Sequence, residues 1–141
     1  MTVGLIIEGG RDIVTVQSGT GLKEAVSLLS INRIGAMPVM RGDEVVGVIS
    51  ERDLIRCLAE QGPSVLEHRV EDVMTSPAIT VSRDTSVLAA LALMTERRIR
   101  HLPVVEAGRL VGIVSIGDLV KFRIDSIERE AAAMRDYIAS V

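Results

Sequence analysis

IRHLPVVEAGRLVGIVSIGDLVK, residues 99–121, repeats the message of IGAMPVMRGDEVVGVISERDLIR, residues 34–56. The two segments align without a gap at a displacement of 65 residues, Ile34 falling on Ile99. Pro38 meets Pro103, Val39 meets Val104, Gly47 meets Gly112, Ser50 meets Ser115, Asp53 meets Asp118 and Leu54 meets Leu119. Where residues differ, the class mostly holds, as in Met37/Leu102, Val45/Leu110, Val48/Ile113 and Ile49/Val114. Self-similarity of this length marks a duplicated structural unit, so the fold is read as two copies of one design.

The 141 residues are 48% hydrophobic, enough for a sizeable core and too apolar for a disordered chain. No apolar run approaches the roughly 18 residues of a membrane span. The opening MTVGLIIEGGRD lacks the basic start and long apolar centre of a secretory leader. A single cysteine, Cys57, leaves no internal disulfide and suits a reducing compartment. The expectation is a soluble cytoplasmic protein without membrane contact. The net charge of −3, from 16 basic and 19 acidic residues, is not the footprint of a nucleic-acid binder. Phe122 and Tyr137 are the only aromatic residues, so a flat ligand would be held by aliphatic side chains and backbone. Only Lys23 and Lys121 are lysines. Arginine offers a planar fork suited to phosphate and carboxylate, although a compositional bias explains most of the arginines equally well.

Residues 13–16 (IVTV) read as a strand. Residues 18–21 (SGTG) turn the chain into a helix carrying Leu22, Ala25, Val26, Leu28 and Leu29 at helical spacing and ending near Asn32-Arg33. Residues 37–40 and 45–49 form a hairpin about a glycine-containing turn, 41–44. Both strands are almost continuously apolar, which predicts burial on both faces. Ser50 is placed to cap a helix over 51–60, with Glu51 and Asp53 in its first turn. Residues 61–69, with Gly62-Pro63, are the linker. The cycle then repeats. Residues 70–74 lead in, 78–81 are a strand, Asp84/Thr85 cap a helix to about Arg98, 101–105 and 110–114 form a hairpin around Ala107-Gly108, and Ser115 caps the last helix.

That last helix is predicted to run to about Ala139. Val120, Ile124, Ile127, Ala131, Met134 and Ile138 recur at heptad spacing, the pattern of a seam buried against another helix. Asp125 and Arg129 pair on a different face. The seam packs either on its own domain or on a second copy of the chain, and dimerisation is the favoured reading.

The repeated Ser-x-x-Asp at a helix start is the constellation able to bind something. First-turn N–H groups favour an anion, and a carboxylate there can accept two hydrogen bonds from a vicinal diol such as a ribose. The same spacing also makes a plain capping box, Ser50/Ser115 at the N-cap and Asp53/Asp118 three residues on.

These residues carry a resemblance. The helix ends followed by Arg33-Ile-Gly-Ala-Met-Pro-Val and Arg98-Ile-Arg-His-Leu-Pro-Val, with the Gly-h-h-Ser-x-x-Asp segments at 47–53 and 112–118, resemble a tandem pair of CBS domains. CBS domains are regulatory modules named after cystathionine β-synthase. The likeness covers roughly residues 10–125. It implies an α/β (α+β) fold of two pseudo-symmetric β-α-β-β-α units. Residues 1–62 would be the first repeat with an N-terminal lead-in, 63–125 the second, and 126–141 a C-terminal helix extension at a dimer contact. The resemblance also implies packed sheets, two clefts between the repeats, and adenosine-containing ligands: AMP first, then ADP, ATP, NAD or S-adenosylmethionine.

By the same resemblance, Asp53 and Asp118 would hold the ribose, with Ser50 and Ser115 beside the phosphate or ribose. Val14, Thr15, Val16, Met37 and Pro38, with Ile79, Thr80, Val81, Leu102 and Pro103, would grip adenine. Arg100 and His101 would meet phosphate, whereas Gly35 and Ala36 stand at those positions in the first copy, leaving Arg52 or a cation from the other copy to compensate. On that ground the Asp118 site is expected to be the better nucleotide site. Gly117 has no side chain where relatives often carry a second hydroxyl.

The remaining candidates are weaker. His68, His101 and Cys57 show no metal-ligand spacing. His68 reads as solvated and Cys57 as core. Gly9-Gly10 and Gly19-Thr20-Gly21 read as turns, not as a phosphate-binding fingerprint. Ser115, Asp118 and His101 form a conceivable nucleophile set, but no motif supplies an oxyanion hole. The expectation is therefore a non-enzymatic regulatory module without catalytic cofactor or metal. It would sense an adenine nucleotide and signal through a homodimer to another, regulated protein. The alternative is a ligand-free interaction module acting through its C-terminal helix.

Overall fold

Each repeated segment folds as a hairpin followed by a helix. The computed structural model of the chain describes residues 1–8 and 12–140, so the turn expected at Gly9-Gly10 lies outside the described residues. In the first repeat β1 (Val16–Gln17), α2 (Leu22–Asn32), β2 (Ala36–Arg41), β3 (Glu44–Ser50) and α3 (Glu51–Gln61) follow in order. In the second, α5 (Val87–Arg97), β4 (His101–Glu106), β5 (Arg109–Ser115) and α6 (Ile116–Ala139) do the same. Two short helices stand outside this scheme, α1 (Val3–Ile7) before the first repeat and α4 (Val70–Val73) before the second.

The first sheet has the order β1-β2-β3, with β1 parallel to β2 and β2 antiparallel to β3. The second is the β4-β5 hairpin, whose register repeats the first: Pro38 faces Val48 as Pro103 faces Ile113. The burial expected of both hairpin strands holds for β2, where Ala36 to Met40 are all buried, but not for β3, where only Gly47 and Ile49 are buried and Val45, Val46 and Val48 are half-buried. Each repeat has its own core, one centred on Leu22, Met37, Val39 and Ile49, the other on Val87, Met94, Leu102, Val104 and Leu119. Cys57 lies in the first core, as expected.

Three further expectations need correction. Of the strand expected over 13–16, only Val16 lies in a strand, joined to Gln17 in the two-residue β1. The strand expected over 78–81 is reduced to one parallel bridge, Val81 to Val104, in which Val81 N–H donates to Pro103 O at 3.0 Å and Val81 O accepts from Val105 N–H at 2.8 Å. Both segments are β-prone, but each has a single neighbouring strand to pair with and runs along it for only one or two residues. The helix cap is Ser86, which accepts from Ala89 N–H at 3.0 Å; Thr85 instead closes a turn by accepting from Ser82 N–H at 3.2 Å. The linker, too, is ordered locally, as a 3-10 turn over Pro63–Glu67 that buries Val65 in the first core.

The lead-in helices cross over. Val3 of α1 is fully buried in the core of the second repeat, and Val70 and Val73 of α4 are buried in the core of the first. Backbone bonds fix the exchange: Val3 N–H donates to Thr85 O at 2.8 Å, and Val48 and Thr75 exchange a pair of bonds at 2.9 and 3.0 Å. Gly47 and Gly112 are the seats of this packing. A Cβ on Gly47 would lie 2.5 Å from Met74 Sδ and 2.9 Å from Thr75 O, and one on Gly112 would lie 2.8 Å from Ile7 Cγ2. The duplicated glycine thus marks where the other repeat's lead-in lies across each hairpin.

Candidate functional site

Both Ser-x-x-Asp turns close as complete capping boxes. Ser50 Oγ accepts from Asp53 N–H at 3.2 Å while Ser50 N–H donates to Asp53 Oδ2 at 3.1 Å; the corresponding distances for Ser115 and Asp118 are 3.1 and 2.9 Å. The first helical N–H is also taken within each repeat, Glu51 by Gly35 O at 2.9 Å and Ile116 by Arg100 O at 2.8 Å. These bonds fix the segment entering the hairpin against the start of the helix leaving it.

The entering segments are aimed by an unusual turn. Arg33 and Arg98, at matched positions after α2 and α5, both adopt the left-handed conformation, with φ of 52° and 55°. A non-glycine residue rarely does so, and here each N–H returns to the helix, to Leu29 O and Ser30 O or to Met94 O and Thr95 O. The turn directs Arg33-Ile34-Gly35 and Arg98-Ile99-Arg100 into two clefts related by the pseudo-symmetry.

Each cleft joins the capping turn of one repeat to the helix-end segment of the other. A cleft of about 440 Å³ is lined by Ser50, Arg52 and Asp53 together with Ile79, Arg98, Arg100 and His101. A second, of about 530 Å³, is lined by Ser115 and Asp118 together with Val14, Arg33, Ala36 and, again, His101. Both volumes are in the range of small-molecule sites. Of the expected site residues, the structure brings Ser50, Arg52, Asp53, Ile79, Arg100 and His101 to the first cleft, and Val14, Ala36, His101, Ser115 and Asp118 to the second. The others stand apart. Val16, Met37, Val81 and Leu102 are core residues, and Thr15, Pro38, Thr80 and Pro103 line neither cleft. Of the residues expected to grip the base, only Val14 and Ile79 reach a cleft; Val48 and Ile99 add apolar wall to the first, and Ile34, Val111 and Ile113 to the second.

The cations also lie opposite to expectation. Arg100 lines the cleft of Asp53, so the expected advantage of the Asp118 site in phosphate contacts does not hold. Arg56, Arg97 and Arg98 join it there. Arg100 is expected beside Asp118 of its own copy, with Arg52 or a cation from the other copy as the recourse of the first site; the structure places both Arg52 and Arg100 with Asp53. Gly35, Glu51 and Thr75 were missed as well. Matched positions 33–35 and 98–100 were a usable signal; Thr75, far from Asp53 in sequence, gave none.

The aspartates differ in setting. Asp53 is 4% exposed. Its Oδ2 accepts from the Ser50 hydroxyl at 2.9 Å, and its Oδ1 accepts from the Thr75 hydroxyl at 3.1 Å and Arg56 Nη2 at 3.2 Å. With the Ser50 N–H bond, all four acceptor positions of this carboxylate are engaged. Asp118 is only partly buried. His101 is partly buried between the clefts. Burial holds its imidazole pKa below the ordinary value, with Arg100 acting in the same direction and Asp118 and Glu51 opposing.

The profile of the CBS domain family matches residues 10–60 and 70–125. The CBS domain-containing protein CBSX3, mitochondrial, of Arabidopsis thaliana is 38% identical over 120 residues, 82% of this chain. The chain spans 58% of that protein, and 64% and 35% of two further curated relatives. A crystal structure of a CBS-domain-containing protein from Agrobacterium tumefaciens superposes with a TM-score of 0.83 at 38% identity, covering 87% of this chain and 99% of that one. A CBS domain protein from Pyrobaculum aerophilum, solved in complex with AMP, superposes with a TM-score of 0.75 at 29% identity, covering 84% and 89%.

Proposed function

The chain belongs to the CBS domain family, and from that premise we propose that it is a regulatory module whose two clefts take an adenosine-containing ligand, AMP foremost. The observation that carries this reading is the crossed construction of the clefts. Each sets the carboxylate of one repeat against an aliphatic wall and helix-end segment of the other, so a bound nucleoside touches both repeats and holds them in one relative arrangement. The AMP complex of the Pyrobaculum aerophilum protein supports the same ligand class. In the Asp53 cleft, Arg52, Arg98 and Arg100 suit a phosphate, and Ile79 and Val48 suit the base. No step of catalysis is assigned to Ser115, whose hydroxyl serves the α6 cap. The signal leaves through a homodimer formed along the exposed face of α6, to a regulated protein, in the cytoplasm. Among the described residues, no helix is long and apolar enough to cross a membrane.

Calorimetric titration with AMP, ADP, ATP, NADH and S-adenosylmethionine tests the reading. Hydrogen bonds to a charged group are worth about 1.5–3 kcal/mol. Asp118→Ala should therefore weaken binding at its cleft roughly 10- to 150-fold. Arg100→Ala should weaken AMP while leaving adenosine nearly unchanged. If none of these ligands binds the wild-type chain, the reading is wrong and the module acts through α6 alone.

A further inference from the structure

Among the described residues, His101 is the one ionisable residue that lines both clefts. It opens β4 opposite Ser115, beside the cap of α6. Its matched position in the first repeat is Ala36, so the pseudo-symmetric pair of clefts is served by a single imidazole. Gly35, the other described residue common to both clefts, makes room for it. A Cβ on Gly35 would lie 3.4 Å from His101 Cε1 and 3.5 Å from Nε2, and 3.9 Å from the Glu51 carboxyl carbon. The ring therefore stands as a thin wall against bare backbone, with one cleft on each side.

We propose that the His101 imidazole is a proton-linked partition: an anion bound in either cleft drives the ring to its charged form, so that the two clefts share one proton. The proposal rests on the reading that these clefts take a phosphorylated ligand. Two carboxylates, one from each cleft, already favour the charged ring, Glu51 on one side and Asp118 on the other, while Arg100 opposes it. Arg52, Asp53, Arg56, Arg97 and Arg98 complete the charged lining of the first cleft. Among the described residues, Asp12 and Arg33 complete that of the second. Burial favours the neutral ring. An anion entering either cleft raises its proton affinity. By reciprocity, acidification strengthens anion binding on both sides. A second anion then meets a ring already charged and takes up little further proton.

The test is an NMR pH titration of the imidazole signals in the full chain, with the exposed His68, the only other histidine, as internal reference. Glu51→Gln and Asp118→Asn should each lower the His101 midpoint, by roughly 0.5 pH unit or more. A midpoint that follows only one of them, or neither, overturns the partition. Added AMP should raise the midpoint, and calorimetry in buffers of different ionisation enthalpy should show no more than one proton taken up per chain when both clefts fill. His101→Gln leaves the α6 cap untouched and gives an independent check. The gain in AMP affinity between pH 7.5 and pH 6 should be smaller in this variant than in wild type at both clefts. An equal gain in the two proteins would also sink the proposal. If AMP fails to bind, inorganic phosphate is titrated in its place: a His101 midpoint raised by phosphate keeps the partition while the nucleotide reading falls, and a midpoint that phosphate leaves unmoved overturns the partition as well.

Discussion

Asp53 and Asp118 occupy matched positions in sequence and unmatched surroundings in space. Thr75 and Arg56 hold Oδ1 of Asp53, and these bonds define two separable quantities. Thr75→Val removes a hydroxyl from a buried carboxylate and should cost about 1.5–3 kcal/mol in chemical denaturation. Arg56→Ala removes a largely exposed partner, so its cost should stay below about 1 kcal/mol. That variant should instead strengthen AMP binding at the Asp53 cleft, because it vacates an acceptor position the ribose can use. Equal stability losses in the two variants would contradict this division. The capping serines and aspartates were legible in sequence because their bonds are local, three residues apart. The Thr75 bond was not, because it depends on where α4 crosses the first repeat.

At the scale of elements, the hairpins and their following helices were legible to within a residue or so, since apolar runs, turn glycines and N-caps all act locally. The lead segments were not. Residues 78–81 have the composition of a strand and pair only at Val81, since pairing depends on a neighbour and not on propensity. α1 was not foreseen at all. It is five residues long, below the length at which helical periodicity can be read, and its burial comes from the distant second core. The glycines give this crossing a measurable form. Gly47→Ala meets the Thr75 carbonyl, part of a backbone fixed by its pairing with Val48, and should destabilise by about 1–3 kcal/mol. Gly112→Ala meets Cγ2 and Cβ of Ile7, which relieve the contact only if α1 shifts; that helix is five residues long, so the cost should be smaller than at Gly47. Thermal or urea unfolding of the two variants decides the order.

At the scale of the whole molecule, two features reach beyond the paired repeats. Val120, Ile124, Ile127, Met134 and Ile138 are exposed along α6, so the heptad seam read from the sequence is not covered by the chain's own core. Ile124→Glu with Ile127→Glu should convert a dimer to a monomer in sedimentation without changing the far-ultraviolet helix signal. A wild-type chain already monomeric at micromolar concentration would refute the contact. The placement of the cations was illegible for a related reason, since sequence reports the repeats but not the rotation between them. The crossed lead-ins carry a consequence of a different kind. Residues 1–62 contain the cover for the second core, and residues 63–141 contain the covers for the first, Val65, Val70 and Val73. Neither half is a finished object, yet each holds what the other lacks. A chain cleaved in the linker should therefore stay together as two complementing fragments, and the two halves made separately should fold only when mixed. The architecture is, in effect, a natural split protein, in which a tethered pair of reporters at the cut would read out how firmly a ligand clasps the halves.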